Sequence, residues 1–441
     1  LAVATLGAPA GRQIWVSPLR QIELSAQERA KEADLDMTDP GAQEALRSLL
    51  VDEVARWRSD YREGSRPFDI VDPDGAVDKA LRNLVGYGPL EPLLEDSDVW
   101  EIMINGPSSI FVKRRSGPGG FHDEVFHDDD HVTRVITKII EDSSASHRKL
   151  DPAEGLQDAQ LDGGARMHIV HADIGRDGHM LVNIRKFSGV LRRSLDELVG
   201  LGMLDSQTAG FLSACVRTGA SVLVSGAPGS GKTTLLGCLV AQVDPSLRVV
   251  VAEEVFETAV ELPNVAHMQT RPARADRKEV DLRRLVSGFL RMAPDVAIVG
   301  EVRDREALPL LLALSSGVQG FTTIHSGSAR QALSRLRFVC QLADIGSEMT
   351  TSALSALVSD AVDVVVHCVR VGGEIRVSEV LAVEDLQVSE GTVAFTTTTV
   401  FARGRFGGEL TWSGNIPVRL TRAFELHDFD VRELLAGDTR R

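Results

Sequence analysis

The sequence predicts an α/β protein whose C-terminal half carries a mostly parallel, doubly wound sheet, preceded by a small α+β domain and an N-terminal helical segment. Three observations predict it. The stretch SVLVSGAPGSGKTT, Ser221 to Thr234, is an apolar β-branched run, a glycine-rich turn and the opening of an apolar helix. That is the strand–loop–helix order of a phosphate-binding G-x-x-x-x-G-K-[ST] loop. Downstream, short apolar strands alternate with helical stretches, as a parallel sheet with crossover helices requires. Upstream, strands flanking an Asn105-Gly106-Pro107 turn follow a purely helical stretch, the mark of a separate α+β unit.

Composition bounds the class. A hydrophobic content of 43% supplies cores for two or three domains, and a charged content of 25% is ordinary for a soluble chain of 441 residues. The net charge of -15 argues against a general nucleic-acid binder. Cys215, Cys238, Cys340 and Cys368 stand far apart with no CxxC pair, so they read as small core residues in a reducing compartment. No run approaches the roughly eighteen uninterrupted apolar residues of a membrane span. Leu1 to Ala10 is too short and uncharged for a secretory signal. A cytoplasmic protein is expected.

The elements follow in order. Leu1 to about Leu19 has no clear period and reads as a mobile end. From Ser25 to about Arg62 the pattern is helical. Ser25-Ala26-Gln27-Glu28 reads as a capping box, and a second helix over Gly41 to Arg58 aligns Leu46, Leu49, Leu50, Val54 and Trp57. Pro67 to Pro73 is linker-like, Val77 to Val85 a short helix, and Gly86-Tyr87-Gly88-Pro89-Leu90 a turn. Strands are expected over Glu101–Asn105, Ile110–Lys113, Ala165–Val170 and Met180–Phe187, and a helix over Asp130–Glu141. His122, His127 and His131 lie among five acidic residues, where a solvated acidic loop is preferred over a metal site. The domains are then 1–72, 73–190 and 205–441, with a linker over 191–204.

In the last domain a helix over Ser206–Thr218 precedes the phosphate loop. Strands are expected over Arg248–Ala252, Asp295–Gly300 and Gly320–Ile324, with helices over Asp281–Met292, Arg305–Ser315, Ala329–Gln341 and Ser347–Val358. Asp363–Val369 and Arg376–Val383 pair antiparallel, Val393–Arg403 is strand-like and Asp430–Leu435 is a closing helix.

The chemistry gathers at the strand ends. Gly226, Ala227, Pro228, Gly229, Ser230 and Gly231 form a turn whose backbone N–H groups face one phosphate. The helix dipole behind it, opening at Lys232, Thr233 and Thr234, adds to the attraction. Lys232 reaches the β- and γ-phosphates, and the Thr233 hydroxyl is placed to ligate Mg²⁺. Glu253/Glu254, Glu301 and His325 each follow a strand at the edge where such sheets bind ligands. Phosphoryl transfer to water needs a carboxylate on the water, for which Glu253 or Glu254 serves. It needs another near Mg²⁺, for which Glu301 serves, and positive charge on the γ-phosphate. Arg271, Arg274, Arg277, Arg283, Arg291 and Arg303 are the candidates for that charge, from this chain or a neighbour.

With these residues in view, the chain resembles the type II/type IV secretion ATPase superfamily, and within it the CpaF-like ATPases of tight-adherence (Flp-type) pili. The resemblance covers about Gly86 to Val383. It rests on Gly86–Leu90 with Val99–Gly106, on Asn183-Ile184-Arg185-Lys186-Phe187, and on the phosphate loop. It rests also on Arg291–Asp295 through Val299–Arg303, and on Gly320-Phe321-Thr322-Thr323-Ile324-His325-Ser326. The resemblance implies a RecA-like P-loop core that binds ATP and Mg²⁺. Glu253 takes the place of the first acid of the aspartate box, the water-activating base, and Glu257 of a further acid. Glu301 is then the Walker B glutamate and His325 a γ-phosphate sensor. Arg283 matches an arginine before Walker B, and Arg166 and Arg185 match N-terminal-domain arginines near nucleotide. The box here reads Val-Ala-Glu-Glu, which leaves Glu253 and Glu254 both open as the base. Ala293 replaces an arginine, and the zinc module of type II enzymes is absent.

The resemblance further implies a hexameric ring at the inner face of the cell membrane. It would work with an inner-membrane platform protein and act indirectly on pilin, the N-terminal domain rocking against the core. The alternatives are a nucleic-acid translocase of a conjugation-type system and a nucleotide-binding regulatory subunit.

Overall fold

The computed structural model describes residues 17–35, 41–114, 117–143, 149–186, 194–258, 260–271, 273, 277–343, 349–389, 392–404 and 408–436. The chain divides into two units, Leu1–Phe187 and Ser188–Arg441.

The first unit opens with three helices, α1 (Pro18–Glu32), α2 (Ala42–Arg62) and α3 (Pro73–Val85). The first begins earlier than the Ser25 capping box suggested. Ser17 caps it, its Oγ accepting from Arg20 N at 3.2 Å, and Pro18 supplies a helical φ at the first turn. The expected mobile end lies outside the described residues up to 16. Ile22, Ala26, Leu46, Leu50, Val54, Trp57, Val77 and Ala80 bury one shared stripe between the three helices. A short helix α4 (Glu91–Glu95) leads to an antiparallel sheet of β1 (Val99–Ile104), β2 (Ile110–Arg114), β3 (Gly120–Phe121), β4 (Leu156–Gln160), β5 (Arg166–Val170) and β6 (Leu181–Arg185), in the order β3-β2-β1-β6-β5-β4. Helix α5 (Asp129–Asp142) packs Val132, Val135, Ile136, Ile139 and Ile140 into the core it shares with the sheet. Phe187, at the end of the expected closing strand, lies outside the described residues.

The histidine-rich stretch corrects the sequence reading. Asp123, Asp128 and Asp130 are exposed, as a solvated loop requires, but His131 is 2% exposed, and His127 Nε2 lies 2.8 Å from Oε2 of the fully buried Glu23 on α1. Asn83 on α3 donates to the other Glu23 oxygen at 2.7 Å. A carboxylate without water needs such partners, and the distant Glu23 is one the local sequence did not reveal. Among the described residues no three His, Cys, Asp or Glu side chains are grouped to hold a metal ion.

The second unit holds α6 (Leu195–Gly200), α7 (Ser206–Arg217), β7 (Val222–Gly226), α8 (Lys232–Val240), β8 (Val249–Glu253), β9 (Val265–Gln269), α9 (Leu282–Val286), β10 (Val296–Val299), α10 (Ala307–Leu314), β11 (Gln319–Ile324), α11 (Ala329–Ala343), α12 (Thr351–Ala361), β12 (Val364–Val371) and β13 (Glu374–Val383). It closes with β14 (Gln387–Ser389), β15 (Thr392–Ala394), β16 (Thr397–Arg403), β17 (Leu410–Trp412), α13 (Val418–Glu425) and α14 (Val431–Ala436). The main sheet runs β17-β16-β13-β12-β7-β11-β10-β8-β9, parallel from β12 to β9 and antiparallel beyond. It is the doubly wound, mostly parallel sheet the sequence predicts, and the RecA-like P-loop core the resemblance implies. Both faces are covered: Val222, Val224, Val251 and Ile298 point into one core with α7 and α8, and Leu223, Val250, Ala252 and Ala297 into another with α10 to α12. Each such valine or leucine contributes roughly 1.5–3 kcal/mol by its burial. All four cysteines are buried and free.

Two expectations change here. The helix expected over Asp281–Met292 stops at Val286, and a 3₁₀ turn over Phe289–Met292 ends at Ala293 with φ +48°. Gly288 breaks the run, and the left-handed residue re-aims the chain into β10. The helix expected from Ser347 starts at Thr351, where Thr350 caps it; positions 344–348 lie outside the described residues. Strands β4 and β9 and helix α13 had no clear signal. Among the described residues no helix is long and apolar enough to cross a membrane.

Candidate nucleotide site

Strands β7, β11, β10 and β8 are successive neighbours in the sheet. The residues that end or follow them, Gly226, His325, Glu301 and Glu253, therefore share one edge. The glycines of the loop are required there. Gly226, Gly229 and Gly231 have φ of +150°, +72° and +84°. A Cβ on Gly226 would lie 2.3 Å from the Cys368 carbonyl oxygen and 2.4 Å from Ser230 Oγ. One on Gly231 would lie 2.7 Å from Ile375 Cγ2. The loop is thus seated on the β12–β13 hairpin, and Ser225 Oγ meets His367 Nδ1 at 2.9 Å behind it. Burial and then the Lys232 charge hold His367 below the ordinary imidazole pKa.

Lys232 is buried at the start of α8 and donates to the Ala227 carbonyl at 3.1 Å. Its Nζ also lies 3.1 Å from His325 Nδ1. On the far side of that ring, Nε2 stands 2.7 Å from Glu301 Oε1, an electrostatic contact rather than an aligned hydrogen bond. Glu301 Oε2 accepts from Arg303 at 2.7 Å, and the same guanidinium reaches Glu254 Oε2 at 2.9 Å. Five charged or titratable groups, Lys232, His325, Glu301, Arg303 and Glu254, thus form one chain of contacts. Burial pushes the Glu301 carboxyl up, but Arg303, His325 and Lys232 outweigh it, and the net position is below the usual carboxylate range. His325 is lowered by burial first and by Lys232, against the pull of Glu301. The Arg303 guanidinium is held protonated by its bond to Glu301.

Glu253 and Glu254 part company. Glu253 is 2% exposed, and its Oε1 accepts from Thr258 Oγ1 at 2.7 Å, Thr258 N at 2.9 Å and Glu257 N at 3.2 Å. Its Oε2 is buried without a hydrogen-bond partner among the described residues. Burial raises its pKa, the Thr258 and Glu257 bonds opposing. Glu254 is exposed and engaged by Arg303.

The residues present fit a bound phosphate chain. The Ser230 hydroxyl is buried in the loop with no partner among the described residues, three loop positions accept only glycine geometry, and Lys232 stands at the helix start. Thr233, half-buried beside Lys232, and Glu301 offer the oxygen ligands suited to Mg²⁺.

Two of the other expected arginines, Arg271 and Arg283, are engaged elsewhere. Arg271 bridges to Val280 and donates to the Lys278 carbonyl at 3.1 Å. Arg283 lines a surface depression of about 390 Å³ with Glu279, Asp281, Arg284 and Ser287. Neither side chain joins the Lys232–Glu301 group among the described residues. Arg274 lies outside the described residues. In the first unit Arg166 and Arg185 stand directly opposite each other on β5 and β6. Sequence reasoning missed Thr258, His367, the Arg303–Glu254 pair and the unpartnered Ser230 hydroxyl. The Thr five residues after Glu253 was the only local signal.

Residues 83–405 match the family model described as type II/IV secretion system protein. The Mycobacterium tuberculosis protein Rv3659c, provisionally named for conjugal transfer, is 31% identical over 73% of this chain and 90% of its own. The type IV secretion system protein PtlH of Bordetella pertussis is 31% identical over 68% of this chain and 94% of its own. The crystal structure of the VirB11 ATPase of Brucella suis with sulphate is 26% identical, covers 66% of this chain and 94% of its own, and superposes with a TM-score of 0.36. The chain belongs to the type II/IV secretion system protein family.

Proposed function

We propose that the protein is an ATP hydrolase that powers pilus assembly or protein secretion, of the tight-adherence (Flp-type), CpaF-like branch. The observation that carries the proposal is the convergence of Lys232, His325 and Glu301, two contacts of 3.1 Å and 2.7 Å, beside a loop whose buried Ser230 hydroxyl is unpartnered.

The loop N–H groups and Ser230 hold the phosphates, and Lys232 leaves the Ala227 carbonyl and His325 to meet the incoming charge. Mg²⁺, held by Thr233 and Glu301, would neutralise charge on the phosphates. Glu253 is the base that takes a proton from the attacking water at Oε2, the unpartnered oxygen. Its raised pKa suits a base better than the exposed, ion-paired Glu254. His325 reports the γ-phosphate to Glu301 because its ring touches both Glu301 and Lys232. Arg303 and, from this chain or a neighbouring copy, Arg271 and Arg283 supply positive charge. Arg166 and Arg185, cross-strand neighbours on β5 and β6, are the first unit's candidates for the nucleotide.

The motor acts as a hexameric ring at the inner face of the cell membrane, on an inner-membrane platform protein and indirectly on pilin. Its domains are taken as 73–190 and 205–441, joined over 191–204, with 1–72 as an N-terminal segment. The test is Mg²⁺-dependent ATP hydrolysis and solution mass of the full chain against Lys232→Ala. Turnover lost in the variant, in a hexamer, supports the reading; no turnover above the variant, with membrane extract added, overturns it. One observation favours a nucleic-acid translocase instead, the conjugal-transfer name of a relative. The net charge of -15 weighs against it, and DNA-stimulated, salt-sensitive hydrolysis would decide for it.

A further inference from the structure

Glu306 belongs to none of the strand-end groups, yet it is only 5% exposed. Its Oε1 accepts the backbone N–H of Arg303 at 2.5 Å and of Asp304 at 2.9 Å. Among the described residues no Lys, Arg or His stands within ion-pair distance of it. A buried carboxylate spent on two backbone N–H groups is a costly way to hold a turn, and a short Ser or Asp cap would close the helix start for less.

The turn it holds is the one that carries Arg303. Val302 N donates to the Thr323 carbonyl at 2.8 Å, and Thr323 Oγ1 donates to the Gly300 carbonyl at 2.8 Å. Those two bonds pin the residues on either side of Glu301 to β11. Neither reaches Arg303. Its guanidinium is 45% exposed and would otherwise sample many rotamers. With its own N–H fixed by Glu306, it lies across Glu254 and Glu301 at 2.9 Å and 2.7 Å.

We propose that Glu306 is a positioning residue: its carboxylate fixes the backbone from which Arg303 bridges Glu254 and Glu301, and so sets where the Arg303 guanidinium stands beside them. This rests on the hydrolase reading above, in which Glu301 serves the phosphates.

The test uses the full chain with Glu306→Ala, Glu306→Gln, Arg303→Ala and the Arg303→Ala/Glu306→Ala pair. Two readouts are taken, ATP turnover and the NMR signals of the Arg303 guanidinium, which are assigned by their loss in Arg303→Ala and need no turnover. Glu306→Ala is expected to lower kcat by the same factor as Arg303→Ala, on the order of a hundredfold, with KM little changed. The double variant is expected to lose no more than Arg303→Ala alone, because both act through one group. Glu306→Gln, whose amide oxygen still accepts, restores most of the rate. With its backbone released, Arg303 leaves its 2.7 Å and 2.9 Å contacts with Glu301 and Glu254, so its guanidinium signals move to the position of a solvated arginine in Glu306→Ala and stay in place in Glu306→Gln. Losses that add in the double variant, or Arg303 guanidinium signals unmoved by Glu306→Ala, overturn the proposal. If Glu306→Ala does not fold, Glu306→Asp withdraws the carboxylate by one methylene, and its loss must vanish in the Arg303→Ala background. If the wild type shows no turnover above Lys232→Ala, the hydrolase reading falls. The Arg303 guanidinium signals alone then decide for or against the role of Glu306.

Discussion

The Nε2 atom of His325 stands 2.7 Å from Oε1 of Glu301, while its Nδ1 lies 3.1 Å from the Lys232 ammonium. One ring therefore touches both the cation at the start of α8 and the acidic strand end. Burial and Lys232 favour its neutral form, and Glu301 favours the charged one. The expected midpoint lies below the ordinary value of about 6.5. Lys232→Ala should raise it and Glu301→Gln lower it further. NMR titration of the labelled imidazole checks both signs; a midpoint that moves the opposite way in either variant contradicts the geometry.

Glu253 and Glu254 are separable by substitution. Glu253→Gln keeps an acceptor for Thr258 but removes the basic oxygen, so turnover should fall by roughly 10²–10⁴-fold with ATP binding retained. Glu254→Ala removes only one anchor of Arg303 and should cost far less. Single-turnover hydrolysis beside equilibrium nucleotide binding separates the two, and equal losses would return the base assignment to Glu254.

Gly226→Ala should destabilise the second unit. The new methyl meets the Cys368 backbone carbonyl at 2.3 Å in a conformation with φ +150°, and a backbone oxygen inside a parallel ladder cannot step aside. The expected loss is about 1–3 kcal/mol, read as a lowered urea midpoint. Gly229→Ala meets nothing within 4 Å, though its φ of +72° is still strained, and should cost less.

The first unit should lose stability in acid through His131. Burial, then Arg134 and His127, hold its pKa at about 3. The folded value lies below the unfolded one, so the stabilisation is fully present above about pH 6.5. It is lost as pH falls toward 3, by at most about 1.4 kcal/mol per pH unit. Urea midpoints of the wild type and His131→Gln between pH 7 and pH 4 test this; parallel curves would contradict it.

The phosphate loop was legible because each residue type in it answers a local need: φ above zero at Gly229 and Gly231, an ammonium at the helix start, a hydroxyl after it. Glu301 and His325 were legible because the parallel sheet puts every strand end on one edge. The Glu23–His127 pair was not, since its partners are 104 positions apart and no spacing rule spans that distance. The early start of α1 was missed because Ser17-Pro18 follows a stretch without period. The helix before β10 was overextended because apolar spacing continues through Gly288, and the left-handed Ala293 carries no composition signal. Arg303 was legible as a cation near the site, but its grip on Glu254 depends on a turn held by Glu306, a contact that only the fold discloses.

The most direct measurement is Mg²⁺-ATP hydrolysis by the wild type and by Glu301→Gln, with nucleotide affinity measured on the same samples. The account predicts that the variant binds ATP within a few-fold of the wild type yet loses turnover by on the order of a hundredfold or more. A variant that hydrolyses ATP at the wild-type rate would contradict the placement of Glu301 in the chemistry.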